Sequence, residues 1–491
     1  MFIKEGSDFP PKNWKYWIDK YNEYATWYSA DQKRLMDYYK YKIDNKIFWG
    51  RDANEETGIL NLPLAADIAG VSANLLFSEI PKLEYDNDEI IDEFIEENGF
   101  YNKLLEAAEI AAALSGVFLK LDIDTSITDV PILNIMTPQY CFPYFYRGRL
   151  KEILFYRTVL IEKEGTVHYR LFENRRNENN TLYIEFKLYK GSEYKIGKVV
   201  DINSIEETAR LGLNDITFSN MRGLGVVYVP NMKPNKLDPG SDLGSNDFGT
   251  CIPMLGGLDF AYTSWIRDIE LGMGQIFIDN ELLRNEEEVL DSNINAPQLN
   301  PFSKFQKAFL KLNMSQRGMA GENYKPIEIV QFEMRVEEHL KTCNDWIKQI
   351  ITSCGYSPQT FGYDINGQAE SGTALRMRER KSFLNREKKS RYWQQAIKEL
   401  LLQTQNFYYV SQNKIVESQD VNVELEDSII IDYREQSEVL RNLDQARSIS
   451  LYTKVAMQHP DWNAKQIDEE VKMIQNEQGI EMADTMFNLE T

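Results

Sequence analysis

Residues 332–350, FEMRVEEHLKTCNDWIKQI, decide how the chain is read. Phe332, Val336, Leu340, Cys343, Ile347 and Ile350 recur at spacings of four, four, three, four and three, which is one apolar stripe along a helix. With its flanks the pattern predicts a helix over 328–351, ending near Gly355. Upstream, GLDFAYTSWIRDIELG (257–272) reads as another helix. Between them, residues 275–325 break into a short QIFID strand, an acidic run at Glu286–Glu288 and the loop NMSQRGMAGENYKP. Two helices flanking a compact insertion predict a helical hairpin whose tip is a small independent unit.

Outward from this hairpin the period of the sequence changes twice. The first 115 residues read as mostly helical: Trp14, Ile18, Tyr21, Ala25 and Tyr28 share a face, and Ser29 with Gln32 has the spacing of a capping box for a helix to about Lys42. In 61–77, Pro63 falls in the first turn and Leu64, Ile68, Val71 and Leu75 form a stripe. Gly70 and its small neighbours are expected to admit another backbone closely. An acidic helix at 88–97 ends at Asn98-Gly99, and another follows to Leu114. From about 117 to 250 short β-branched and aromatic segments, among them FLKLDID, ILNIMTP, EILFYRTVLIEK, VHYRLFE, TLYIEFKLYK and YKIGKVV, predict an antiparallel β-rich unit. Residues 230–250 read as a polar loop with little to bury. After a loop at 355–372, residues 373–408 form a long helical run, 421–432 a strand and turn, and 434–457 and 464–477 further helices.

Composition bounds the rest. At 491 residues the chain is long enough for two to four structural units, and 43 % apolar residues supply their cores. A net charge of -21 argues against a protein that wraps nucleic acid by neutralising phosphates. It leaves room for one that DNA slides past. The opening MFIKEGSDFPPKNW lacks the pattern of a signal peptide and no apolar run reaches a membrane span, so synthesis in a cytosol is expected, with no membrane partner. Cys141, Cys251, Cys343 and Cys354 are read as reduced and mostly buried.

No nucleophile motif, phosphate loop, dinucleotide fingerprint or metalloprotease motif is present. Residues 367–375, GQAESGTAL, have glycines but no lysine before the hydroxyl residue. Asp364, Asn366 and Gly367 start like a calcium loop whose remaining ligands are missing. His168, His339 and His459 lie in three separate regions without cysteines at ligand spacing. No catalytic, cofactor-binding or metal residues are assigned, no cofactor is expected, and the chain is read as no enzyme. Glu286–Glu288 read most simply as a solvated face. The basic run at 378–391 (Arg378, Arg380, Lys381, Arg386, Lys388, Lys389 and Arg391 against Glu379 and Glu387) leaves three readings open: a face paired with acidic neighbours, a weak DNA-facing patch, or plain exposure. The aromatic clusters at 14–28 and 140–146 favour core or interface packing over base stacking, because basic residues are not interleaved.

Four segments carry a family resemblance. Ala73–Pro81 matches an A-x-L-L-F-x-E-x-P ending; the helix, strand, insertion and helix follow in order over 259–351; GYSPQTFGYD (355–364) precedes Ser371, Gly372, Thr373, Ala374 and Leu375; and VELEDSIIIDYREQSE spans 423–438. Together they resemble the portal proteins of tailed bacteriophages, the family typified by siphophages of Gram-positive bacteria, over about residues 10–478. The departure is Ser-Gly-Thr-Ala-Leu at 371–375, where the family more commonly has Thr-Ala-Thr-Glu-Val, so the acidic residue is lost.

The resemblance implies an α+β portal fold: a helical and β-rich wing (1–255, with the long wing helix 373–410), a two-helix stem (256–274 and 328–352), a small α/β clip (275–327), a tunnel loop region (353–372) and a helical crown (411–491). It implies a dodecameric homo-oligomeric ring at one capsid vertex of the virion, serving head assembly, DNA packaging and DNA exit. Its implied partners are the terminase large subunit, a head-tail connector or adaptor protein, scaffold and major capsid proteins, and double-stranded DNA passing without sequence specificity. The alternative is another virion head or neck protein that conducts no DNA.

Overall fold

The computed structural model describes residues 2–43, 59–85, 89–162, 165–272, 275–279, 309–312, 327–330, 334–363, 372–412, 421–425, 433–459, 462 and 464–477. The chain divides into two compact units, one of Met1–Ile365 with Glu379–Glu426, the other of Asn366–Arg378 with Asp427–Thr491.

The first unit opens with α1 (Lys12–Ser29) and α2 (Gln32–Ile43). Ser29 does not cap α2. It ends α1, its hydroxyl donating to Thr26 O, and Ala30 takes a left-handed conformation. Asp31 caps α2 instead, accepting from Arg34 N at 2.8 Å, which fits the preference for a carboxylate at that position. Next come α3 (Leu64–Phe77), β1 (Lys82–Tyr85), α4 (Glu89–Asn98) and α5 (Phe100–Leu114). The buried face of α3 departs from the expected stripe: Leu64, Ala65, Ile68, Ala69, Ser72, Ala73, Leu76 and Phe77 are buried, Val71 and Leu75 are only half-buried, and Pro63 precedes the helix. The expectation for Gly70 fails, since a Cβ built there meets nothing within 4 Å. The close approach is made by alanines. Ala65, Ala69 and Ala73 of α3 and Ala107, Ala108 and Ala111–Ala113 of α5 are buried, and together the two helices feed two cores.

The β-rich part is antiparallel as expected. A three-stranded sheet has β2 (Gly116–Asp122) in its centre between β3 (Ile132–Met136) and β10 (Val226–Pro230). The larger sheet runs β4 (Cys141–Tyr146), β5 (Arg149–Glu162), β6 (Val167–Glu178), β7 (Thr181–Ser192), β8 (Lys195–Val200), with β9 (Ile216–Ser219) also on β7; the short helix α6 (Glu206–Ala209) precedes β9. In 140–146, Phe142 packs inward on Tyr156 at 5.1 Å, nearly parallel, while Tyr144 and Tyr146 face outward. The split runs along the strand rather than across its faces: Cys141–Pro143 are buried, Tyr144 and Tyr146 are exposed, and the pairing register is irregular between Tyr144 and Phe145.

The loop at 230–250 departs from expectation. Leu243, Ser245, Asn246, Asp247 and Phe248 are buried, as are Asn231 and Asn235. Its polar side chains bond backbone: Asn235 Nδ2 donates to Gly244 O, Asn231 Nδ2 to Ser245 O, and Asn246 Nδ2 to Ala113 O. Gly244 lies so close to Ser115 O that a Cβ would sit at 2.2 Å.

After the loop come α7 (Ile252–Leu271), β11 (Gln275–Asp279), β12 (Phe309–Leu312), β13 (Ile327–Val330), α8 (Val336–Ser353), α9 (Gly372–Ser411) and β14 (Val421–Glu424), which pairs β1. The helix expected from 328 begins only at Val336. Residues 327–330, Ile-Glu-Ile-Val, are a strand, because their β-branched side chains suit a pleated surface better than a helical turn.

The second unit contains α10 (Tyr433–Gln445), α11 (Leu451–Gln458) and α12 (Ala464–Glu477). The single run expected over 434–457 is thus two helices. Arg447 interrupts it with a left-handed φ of 51°, and Ser450 starts α11 by accepting from Thr453 N.

Candidate functional site: a helix pair carrying a small sheet

Helices α7 and α8 lie side by side in antiparallel register, held by a ladder of named pairs. At one end Cys251 meets Cys354, their sulfurs 3.4 Å apart. About two turns on, Gly257 faces Trp346; a Cβ on Gly257 would come within 3.0 Å of the indole. Trp265 then stacks on His339, with centroids 6.0 Å apart and planes 6° from parallel. Finally Asp268 binds Arg335 through two hydrogen bonds of 2.9 Å and accepts from His339 Nε2 at 2.9 Å. These partners, the histidine first, hold the Asp268 carboxyl below its ordinary range.

Beyond this last pair sits the sheet of the insertion. Strand β11 is central, parallel to β12 and antiparallel to β13. Glu286–Glu288 and the loop 313–326 fall outside the described residues, as do Asp364, Asn366 and Gly367.

The stripe that defined α8 divides along its length. Cys343, Ile347 and Ile350 are buried, while Val336 and Leu340 are 44 % and 47 % exposed. Ile266, Ile269 and Met334 are also exposed. A groove of about 660 Å³ runs between the helices, bordered by Tyr39, Gly256, Ala261, Thr342 and Trp346.

The inner end of the pair is fixed by a buried polar knot. Lys389 of α9 places its ammonium 2.6 and 2.8 Å from the two Asp247 oxygens, 2.6 Å from Ser72 Oγ and 3.0 Å from Tyr356 Oη. Tyr356 donates to Asp247 Oδ2 at 2.7 Å, and Asn231 Nδ2 donates to Oδ1 at 2.8 Å. Every member is at most 4 % exposed. Burial pulls the Lys389 ammonium's pKa down, against the attraction of Asp247, and burial with Asp247 pushes the Tyr356 phenol up. The knot joins α3, the 230–250 loop, the segment after α8, and α9.

The basic run is therefore not a uniform surface. Lys389 and Arg386 are buried, Arg386 Nε donating to Leu75 O at 2.6 Å. Lys381 donates to Thr352 O, and Ser382 Oγ accepts from Ser357 N at 2.9 Å. Arg391 pairs with Glu387 on the exposed face. Of the three readings, pairing with acidic groups holds for Lys389 and Arg391; backbone carbonyls take Lys381 and Arg386.

The structure does not gather the histidines into a site. His168 bonds Gly165 O, His339 bonds Asp268, and His459 stacks on Trp462 at 3.9 Å. Among the described residues no group of three or more His, Cys, Asp or Glu could hold a metal ion. All four cysteines are free and buried. Asp247 escaped the sequence reading because nothing local marks it. Lys389 carried a signal: Ser382, Asn385, Lys389, Trp393, Ala396 and Leu400 share one helical stripe.

Residues 279–481 match the family model described as "Phage portal protein, SPP1 Gp6-like". The matched stretch takes in the insertion strands β12 and β13, α8, α9 and the helices of the second unit, and this part of the chain is similar to that family. No curated protein matches the chain. Two solved structures are similar at 9 % identity. A chain from "Neck of native GTA particle computed with C12 symmetry" is covered over 89 % of its length and 81 % of this one, with a TM-score of 0.37. A chain from "Virion of native gene transfer agent (GTA) particle" is covered over 95 % and 84 %, with a TM-score of 0.38. At these TM-scores the likenesses carry no weight for fold or function.

Proposed function

We propose that this chain is a portal subunit, one of about twelve in a closed ring at a capsid vertex through which DNA enters and leaves. The observation that carries the reading is the match of residues 279–481 to the phage portal family model, a stretch that begins after α7 and holds α8, the second helix of the pair. In this reading α7 and α8 are the stem, the insertion 275–327 is the clip that meets the terminase large subunit and later the connector, and 353–372 is the tunnel loop region facing DNA. Residues 1–255 and 373–410 build the wing, and 411–491 the crown. The chain conducts DNA and leaves nucleotide hydrolysis to the terminase.

Two physical features support it. Val336, Leu340, Ile266 and Ile269 leave an apolar strip on the stem pair, which a neighbouring subunit in a ring would cover. The charge of -21 per chain sums to about -250 in a ring of twelve, which disfavours adhesion to a sliding duplex.

The test is capture of the cognate terminase large subunit by the assembled protein, beside a variant in which 280–326 is replaced by a short linker. The reading expects capture by the full chain and none by an assembled variant. Equal capture by both contradicts the assignment of the clip.

A further inference from the structure

The two thiols at the inner end of the helix pair have a geometry that packing alone does not require. Cys251 immediately precedes α7 and Cys354 immediately follows α8. Their sulfurs are 3.4 Å apart, Cys354 donating to Cys251, and both side chains are almost fully buried. A disulfide needs about 2.05 Å between sulfurs, so closure asks for little more than an ångström of approach. The other two cysteines are differently placed: Cys141 donates to Thr137 O, and Cys343 lies in the apolar stripe of α8.

We propose that Cys251 and Cys354 form a redox-set staple, reduced when the protein is made and closed to a disulfide on exposure to a peroxide. The Cys251 thiolate attacks one peroxide oxygen, breaking the O–O bond, and becomes a sulfenic acid while the departing hydroxide takes a proton to leave as water. The Cys354 sulfur then attacks the Cys251 sulfur, and the sulfenic hydroxyl leaves as a second water with the Cys354 proton. Two thiols and one hydrogen peroxide give one disulfide and two waters.

The surroundings favour Cys251 as the first nucleophile. The hydrogen bond from Cys354 is the largest influence bringing its thiol down to about 7, with Thr250 and the charge of Lys236 adding to it and burial opposing. Burial pushes Cys141 and Cys343 the other way. The closed staple would covalently fix the start of α7 to the end of α8, adding a bond where the reduced protein has the Lys389 knot and side-chain packing. The inference stands whether or not the chain is a portal.

The test uses the full chain, treated with hydrogen peroxide and compared with an untreated sample. Thiols are titrated in denaturant and peptides mapped by mass spectrometry without reduction. The expected result is a fall from four thiols to two, one linked pair of peptides containing Cys251 and Cys354, and a higher midpoint of thermal unfolding that a reductant reverses. The Cys343→Ser variant should behave the same way, and Cys354→Ser should stop at a sulfenic acid on Cys251, trapped by dimedone. Four thiols persisting in the folded wild-type protein, a different linked pair, or oxidation of Cys141 or Cys343 before Cys251 would overturn it. Because the linkage is mapped on the wild-type chain, a variant that fails to fold does not decide the matter.

Discussion

Lys389 and Asp247 form an ion pair at 2.6 Å across 142 residues of sequence, and neither side chain is more than 2 % exposed. Taking both charges out of water is costly, and the pair is tolerated because Ser72, Tyr356 and Asn231 satisfy what the two leave over. Removing one partner strands the other.

Lys389→Met should therefore destabilise the first unit by about 3–5 kcal/mol, read from urea or thermal unfolding. Adding Asp247→Asn should recover part of that loss, because no buried charge is left alone. Strictly additive losses in the double-mutant cycle would mean the pair is not coupled.

Tyr356→Phe keeps the ring and deletes the hydroxyl that donates to Asp247 and accepts from Lys389. A loss of about 1–3 kcal/mol is expected, since both buried charges lose a partner. An unchanged unfolding midpoint would show that the hydroxyl is dispensable.

Asp259 gives a pH dependence. Burial pushes its carboxyl up to about 6, although Asn61, Tyr39 and Leu62 N donate to it. The folded state thus holds this proton more tightly than the unfolded chain. Its contribution to stability is fully present below pH 3.8 and is lost as pH rises through about 6. The whole effect is on the order of 3 kcal/mol. In Asp259→Asn this part of the stability–pH profile should flatten between those values. A profile parallel to wild type would contradict the assignment.

Gly257 is a point of close approach between the paired helices, its built Cβ lying 3.0 Å from the Trp346 indole. Gly257→Leu drives a side chain into Trp346 and should cost about 1–3 kcal/mol through overpacking, with a shift in tryptophan emission as the indole is displaced. Gly256→Ala, where the nearest neighbour of a built Cβ is Tyr39 Oη at 3.6 Å, should be tolerated.

What could be read from the sequence was what depends on local period. The β-branched and aromatic segments between 117 and 200 mark strands, the three-to-four spacing of 12–29, 100–114 and 336–353 marks helices with a face to bury, and the elements follow. Long-range partners were hidden. Asp247 sits in a stretch with the composition of an exposed loop, and its burial is made tolerable by partners distant in sequence, Lys389 from α9 and Tyr356 from the segment after α8. Lys389 was masked by the cations around it, although its place in the stripe with Trp393 and Leu400 marked it as inward-facing. The IEIV segment shows the limit of a helix signal at its edge, where β-branched residues beside a helical stripe can join a sheet instead. At α2 the capping-box spacing pointed to Ser29, but the helix is capped by the carboxylate of Asp31 two residues on.

The proposed portal assembly requires copies of this chain to close into a ring around a channel. Native mass spectrometry of the purified protein, paired with class averages from negative-stain images, tests it most directly. A ring of about twelve subunits with an open centre wide enough for duplex DNA is expected. A well-formed small oligomer without a central channel would contradict it.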